Sequence, residues 1–225
     1  MEMDKNAVKK VFSNQEGPHE NLKEWVMRYV NTQYLRPIAE HTRKAFFEVE
    51  TFIEKRACPI VLDSGCGTGR STQVLAQKFP ECTVIGIDKS EVRLSRSGKP
   101  CENLMWVRAE LLDFWRLVLE NKWEIKFHAL YYPNPWPKAS EATRWFHFHP
   151  IFPTLLKLGP KTELRTNWEI YAEEFAMASV LAGDMLKMPL SVSKHIFQPE
   201  IPETAFEEKY AKAGQELFCV MVEHK

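Results

Sequence analysis

The chain has 225 residues, 44% of them hydrophobic, and its 30 Lys and Arg balance 30 Asp and Glu. That length suits one sizeable α/β domain with an appendage, and the composition predicts a packed core while arguing against extensive disorder. Zero net charge argues against a dedicated non-specific nucleic-acid binder, whose affinity comes from neutralising phosphates, although local patches still allow a folded RNA as substrate.

No stretch approaches the ~20 apolar residues of a membrane span, and the opening MEMDKNAVKK lacks the apolar run of a signal peptide. Cys58, Cys66, Cys82, Cys101 and Cys219 show neither C-x-x-C pairing nor a histidine grouping at zinc spacing. They read as reduced thiols of a cytoplasmic protein without a metal site, a monomer or a homodimer.

Residues 1–57 read as an N-terminal helical extension, and residues 58–225 as the main domain. Leu22, Trp25, Val26, Tyr29 and Val30 make one apolar face of a helix over residues 20–31. A second helix over residues 38–53 carries Ile38, Phe46, Val49, Phe52 and Ile53 towards a sheet edge, with Pro37 near its start. Structural packing is the favoured role for both.

From Cys58 onwards strands and helices alternate, the signature of a parallel sheet covered on both faces. Ile60, Val61 and Leu62 run into Asp63 and then Gly65-Cys66-Gly67-Thr68-Gly69, and helix formers follow from Arg70 to Phe79. A strand, glycine turn and helix bring a cofactor against bare backbone at a helix N-terminus. The dinucleotide pattern G-x-G-x-x-G would need glycine at position 70, where Arg70 stands. D-x-G-x-G-x-G suits S-adenosylmethionine better. The next buried strand, Thr83 to Ile87, ends in Asp88, whose carboxylate can accept hydrogen bonds from both ribose hydroxyls. Asp63, Gly65, Gly67, Gly69 and Asp88 are therefore candidate cofactor residues.

A short helix is expected over residues 90–97 and a third strand over residues 103–108. Glu110 follows that strand. It suits either the adenine end of the cofactor or the first turn of a helix over residues 111–119. A fourth strand, Phe127 to Tyr132, delivers the chain into Pro133-Asn134-Pro135-Trp136-Pro137-Lys138. Three prolines there forbid helix and ladder pairing, so a stiff loop at a strand's carboxyl end presents Asn134, Trp136 and Lys138 to the site. His147 and His149, in an aromatic-rich stretch without partnering ligands, read as surface or packing residues. A fifth strand over residues 162–166 leads to Asn167-Trp168-Glu169 and a helix over residues 170–181. Residues 190–197 and 216–223 make the sixth and seventh strands. Thr204 to Glu207, between them, reads as a polar, mobile connection able to close over the sheet edge.

The glycine turn, PNPWPK at 133–138, TNWE at 166–169 and T-x-F-E at 204–207 occur in that order over residues 58–222. Together they resemble the bacterial tRNA (guanine-N(7))-methyltransferase family. The resemblance implies a Rossmann-like class I methyltransferase fold with a mostly parallel seven-stranded sheet, S-adenosyl-L-methionine as cofactor and tRNA as partner. It implies that Asp63, Asp88 and Glu110 stand at the family's cofactor acids. It places Asn134 at the catalytic loop position, beside the cofactor, and Lys138, Asn167, Thr204 and Glu207 on the substrate side. Two family aspartates are replaced, by Asn134 and Asn167, and Ala139-Ser140-Glu141-Ala142 stands where the family has a basic run. Because guanine N7 already holds a lone pair, such an enzyme needs alignment and charge stabilisation but no base. Losing a carboxylate at such a position costs on the order of 10²–10³ in rate by analogy with one electrostatic stabiliser. Two other readings stay open. Asn134-Pro135-Trp136 is similar to the N-P-P-aromatic loop of enzymes that methylate planar amines, and a cofactor- or RNA-binding paralogue without catalysis would also carry these motifs.

Overall fold

The computed structural model describes residues 15, 17–134, 136 and 139–225. The opening decapeptide and Lys138, with Pro135 and Pro137, lie outside the described residues.

Seven strands form one sheet: β1 (Ile60–Ser64), β2 (Thr83–Asp88), β3 (Leu104–Arg108), β4 (Ile125–Tyr131), β5 (Lys161–Thr166), β6 (Leu190–Phe197) and β7 (Leu217–His224). Their order is β3-β2-β1-β4-β5-β7-β6. The first five run parallel, while β7 is antiparallel to both β5 and β6. The helices are α1 (Leu22–Val30), α2 (Glu40–Glu54), α3 (Arg70–Lys78), α4 (Glu91–Leu94), α5 (Leu111–Glu120), α6 (Phe152–Leu156), α7 (Glu169–Leu186) and α8 (Ala205–Lys212). The expected seven-stranded, mostly parallel sheet with helices on both faces is what the chain forms.

The centre of the sheet explains why β1 and β2 read as unbroken apolar runs. Strand residues alternate between faces, and both faces here are covered. Ile60 and Leu62 pack into a large cluster with Phe46 of α2, Phe114 of α5 and Phe175 of α7. Val61 packs into a smaller one with Leu75 and Ala76 of α3 and Phe127 of β4. Each such fully buried aliphatic side chain contributes about 1.5–3 kcal/mol.

The N-terminal helices are built into this core. Leu22 and Val26 of α1 and Ala45, Phe46 and Val49 of α2 belong to the large cluster. Buried Glu174 of α7 accepts from the backbone N–H of His19 at 2.5 Å and lies 3.3 Å from His147 Nε2. His147 is fully buried, a packing residue and not a surface one. Burial holds its pKa below the ordinary value, against the pull of Glu174.

Residues 204–207 differ from expectation. They are not a loose connection but the start of α8: Thr204 is its N-cap, and its hydroxyl accepts from the Glu207 N–H at 2.9 Å.

Candidate active site

Strand order reverses between β1 and β4, since β2 and β3 build outward from one and β5 from the other. At such a switch point the connections diverge and leave a crevice at the carboxyl ends of the strands. A cavity of about 470 Å³ lies there. Ser64 and Gly65 bring the end of β1 to it, Asp88 the end of β2, Glu110 the segment after β3, and Tyr131 to Asn134 the end of β4. Trp136, Arg144, Phe146 and Tyr171 complete a largely aromatic wall. The structure thus gathers Gly65, Asp88, Glu110 and Asn134, four of the expected site residues, around one space.

The glycine turn is held from below. Gly65 and Cys66 donate to the Ile87 carbonyl at 2.8 and 3.0 Å, and Gly67 donates to Asp88 Oδ2 at 3.0 Å. Gly67 has φ +59°, and a Cβ built on it would meet no protein atom within 4 Å, so the space above it is open to a ligand. Gly69 serves a different purpose. It caps α3 at φ +74°, and a Cβ there would come within 2.2 Å of Trp106 Nε1. Its role is close packing of the turn against β3.

Asp63 also departs from expectation. It is 1% exposed and does not line the cavity; its Oδ2 accepts from the Ser71 and Thr72 hydroxyls at 2.7 Å each. Burial pushes its pKa up to about 6 against the lowering effect of those two hydroxyls. Asp63 fastens the first turn of α3 to β1 and shapes the cofactor turn from behind.

Asp88 is 2% exposed yet faces the cavity. Its Oδ1 accepts from the Ser90 N–H at 2.7 Å and pairs with Arg93 Nη2 at 3.0 Å. A carboxylate offers about four lone-pair sites, so one remains. The Arg93 side chain is 44% exposed, and it is the partner that can swing aside to release another. Glu110 is the N-cap of α5, and its own N–H donates to Thr42 Oγ1 of α2 at 3.0 Å. That bond fixes the backbone of Glu110 where the residue lines the cavity.

Tyr132, expected at the end of the fourth strand, and Trp136 of the loop shape the wall facing the glycine turn. Tyr132 follows β4 with φ +51°, a conformation that costs a bulky residue energy and is held by its surroundings. Its hydroxyl donates to Glu207 Oε1 at 3.2 Å. Burial, then the Glu207 carboxylate, raises the phenol's pKa, so it stays neutral. Trp136 also has φ +43°; Arg144 lies 4.3 Å over its ring, and its carbonyl accepts from Trp145 Nε1 at 3.3 Å.

Thr204, Glu207 and Asn167 are not brought to the cavity. Glu207 is fully buried: besides Tyr132 it accepts from Arg165 Nη1 at 3.1 Å and from the Glu203 N–H at 2.6 Å. Arg165 in turn pairs with Glu163 at 2.5 Å and with Glu203 at 3.1 Å. Burial opposes its charge, but Tyr131 and the three glutamates hold its pKa raised. Asn167 Nδ2 donates to Gln215 Oε1 at 2.9 Å. These side chains support the wall of the site from outside.

The arrangement matches known proteins. A family model described as "Putative methyltransferase" matches residues 57–220. The tRNA (guanine-N(7)-)-methyltransferase of Psychromonas ingrahamii is 30% identical over 180 residues, covering 75% of this chain and 72% of that protein. The chain belongs to the tRNA (guanine-N(7)-)-methyltransferase family. The family member of Nitrosospira multiformis is 25% identical over 230 residues, covering 92% of this chain and 96% of that protein. Similarity to the trans-aconitate 2-methyltransferase of Acidovorax sp. (strain JS42) is 37% but spans 81 residues, 36% of this chain and 31% of that protein. Among solved structures, an antibiotic-related methyltransferase shares the fold with a TM-score of 0.57 at 16% identity, over 87% of this chain and 98% of that one.

Membership accounts for the cavity. S-adenosylmethionine is the cofactor of this class, and Gly65, Asp88, Glu110 and the aromatic wall of the cavity fit a cation carrying an adenosine; Gly67 does not line the cavity but leaves open space at the same turn. Among the described residues no group of His, Cys, Asp and Glu could hold a metal ion, and no helix is long and apolar enough to cross a membrane.

Proposed function

We propose that this chain methylates N7 of a guanine in tRNA, in the cytoplasm. One observation carries the reading: the acids that suit an adenosine, Asp88 and Glu110, share a single cavity with Asn134 and the rings of Tyr132 and Trp136. Donor and acceptor groups would therefore meet in the space enclosed by the ends of β1 and β4.

When bound, S-adenosylmethionine supplies a sulfonium-linked methyl group that the N7 lone pair takes, the C–S electron pair staying on sulfur. The protein's part is alignment and charge. Asn134 is exposed at the end of β4 and can donate or accept at the edge of a planar base. The aromatic wall offers ring faces to the guanine and to the positive charge that methylation leaves on it. Asp88 and Glu110 add negative charge to the same space. No side chain has to remove a proton, because N7 carries none. The fully buried His128 has a pKa of about 3 through burial, stays neutral beneath Ser64 and takes no part.

Asn134 in place of the family's loop aspartate supports a second reading, in which the acceptor is another planar amine. Incubation with methyl-labelled cofactor decides between them, using total tRNA in one reaction and a pool of small aromatic amines in the other. Label in the RNA fraction alone is expected. Label confined to the small molecules would overturn the proposal.

A further inference from the structure

Tyr132, which lines the cavity, also makes ring contacts outside it. The ring of Tyr132 lies 5.8 Å from that of Tyr210 at 41° and 6.4 Å from that of Phe206 at 30°. Phe206 and Tyr210 are themselves stacked, with centroids 6.1 Å apart at 21°. Three rings therefore run as one aromatic surface from the cavity lining onto α8. At its outer end Phe206 is 48% exposed, although it belongs to a helix whose Glu207 is completely buried.

The surface is rigidly mounted. The Tyr132 hydroxyl is tied to Glu207, Glu207 to Arg165, and Arg70 of α3 donates to Glu208 and to the Pro202 carbonyl. Lys209, exposed and three residues beyond Phe206, stands beside it on the helix. An exposed aromatic face, fixed in place, continuous with a methyl-transfer cavity and flanked by a cation has the chemistry that holds an unpaired base and its phosphate.

We propose that Phe206, at the end of the Tyr132–Tyr210 stack, is a stacking platform for an unpaired nucleobase neighbouring the one that is methylated. The inference rests on the acceptor being RNA, as proposed above. A base drawn out of its stack to reach the cavity leaves its neighbour's face uncovered, and Phe206 covers it. Stacking is indifferent to base identity, so the platform supplies affinity and position and leaves selection to the cavity.

The test uses the full chain carrying Phe206→Ala, Phe206→Leu or Phe206→Trp. Alanine and leucine should each raise KM for tRNA about 5- to 150-fold, the equivalent of about 1–3 kcal/mol for one stacked base. They should leave kcat within about twofold and the calorimetric affinity for S-adenosylmethionine unchanged. Tryptophan should keep the parent KM, and the emission it adds to that of the parent's seven tryptophans should be quenched saturably by tRNA. Wild-type KM in both the alanine and leucine variants would overturn the proposal. So would full rescue by leucine, which is apolar without being aromatic, or an unquenched tryptophan. A concentration-dependent dimer abolished by Phe206→Ala, with KM unmoved, would assign the face to a second copy and also overturn it. If the parent protein methylates no tRNA, the functional reading falls, and quenching of the tryptophan variant by a single-stranded oligonucleotide decides the platform alone.

Discussion

Replacing Gly67 by alanine should cost the protein its cofactor while leaving its fold. The position has φ +59°, and forcing an L-residue into that region costs about 1–2 kcal/mol. The added methyl group meets no protein atom within 4 Å, so no packing penalty follows. For a domain of this size the expected fall in Tm is about 2–8 °C. The same methyl group would stand in the space assigned to the cofactor, and calorimetric titration with S-adenosylmethionine should show at least about a tenfold loss of affinity, or 1.4 kcal/mol. Gly69→Ala is the internal control. Its φ is +74°, and its Cβ would lie 2.2 Å from Trp106 Nε1 and 2.6 Å from Trp106 Cε2. Overpacking adds about 1–3 kcal/mol to the backbone cost, so urea unfolding should find Gly69→Ala the less stable variant by that margin. If Gly67→Ala binds the cofactor as the parent does, the open space at Gly67 does not face the donor and the role given to this position fails.

Further outcomes follow from the same geometry. Asn134→Asp restores a carboxylate beside the base and should raise the rate of tRNA methylation by up to the order of 10²; a fall in single-turnover rate would make Asn134 a specific amide ligand. His128 is held neutral by burial, with its pKa lowered from an ordinary 6.5 to about 3. Its contribution is complete above pH 6.5 and is lost as pH falls towards 3, costing about 2 kcal/mol between pH 7 and 5. Urea melts of His128→Asn should lack that slope. Asp63 has the opposite sign: its pKa, raised from 3.8 to about 6, gives stability that is full below 3.8 and lost as pH rises through 6. Acidification from pH 7 to 4 should therefore favour the parent over Asp63→Asn by about 2 kcal/mol, and equal pH dependence would refute the burial argument. Glu207→Ala removes one of the three carboxylates around Arg165 and leaves the Tyr132 hydroxyl and the Glu203 N–H without their acceptor. It should destabilise by about 2–4 kcal/mol, against about 1 kcal/mol for Thr204→Ala, which removes only a cap; thermal melts compare the two.

The sheet and the donor half of the site were legible because their physics is local. A strand buried on both faces must be apolar throughout, and a turn that meets a ligand with its backbone must be glycine, so β1, β2, Gly65 and Asp88 declare themselves. Roles that depend on the direction of a side chain did not. Asp63 ends an apolar run just as Asp88 does, but it lies on the α3 face of β1, beside Val61, and not towards the cavity. Strand alternation does not separate the two, since Val61 pairs with Val84 and Asp63 with Gly86, which puts Asp88 on the same face. Asp88 reaches the cavity because it is the last residue of its strand, whereas Asp63 is held under α3 by Ser71 and Thr72. Thr204-x-x-Glu207 likewise carries the capping-box spacing of a helix start, a signal that its polar composition hides. In the fold Glu207 reaches the Glu203 N–H and Arg165, not solvent. The pairing of Tyr132 with Glu207, 75 residues apart, had no local signature at all. It depends on β5, β7 and α8 assembling beside the end of β4.

The most direct test of the account is the chemical identity of the methylated product. tRNA incubated with this protein and S-adenosylmethionine, digested to nucleosides and resolved by mass spectrometry, should gain 7-methylguanosine and no other methylated nucleoside. A different methylated nucleoside, or an unchanged profile from protein shown to bind the cofactor, would contradict it.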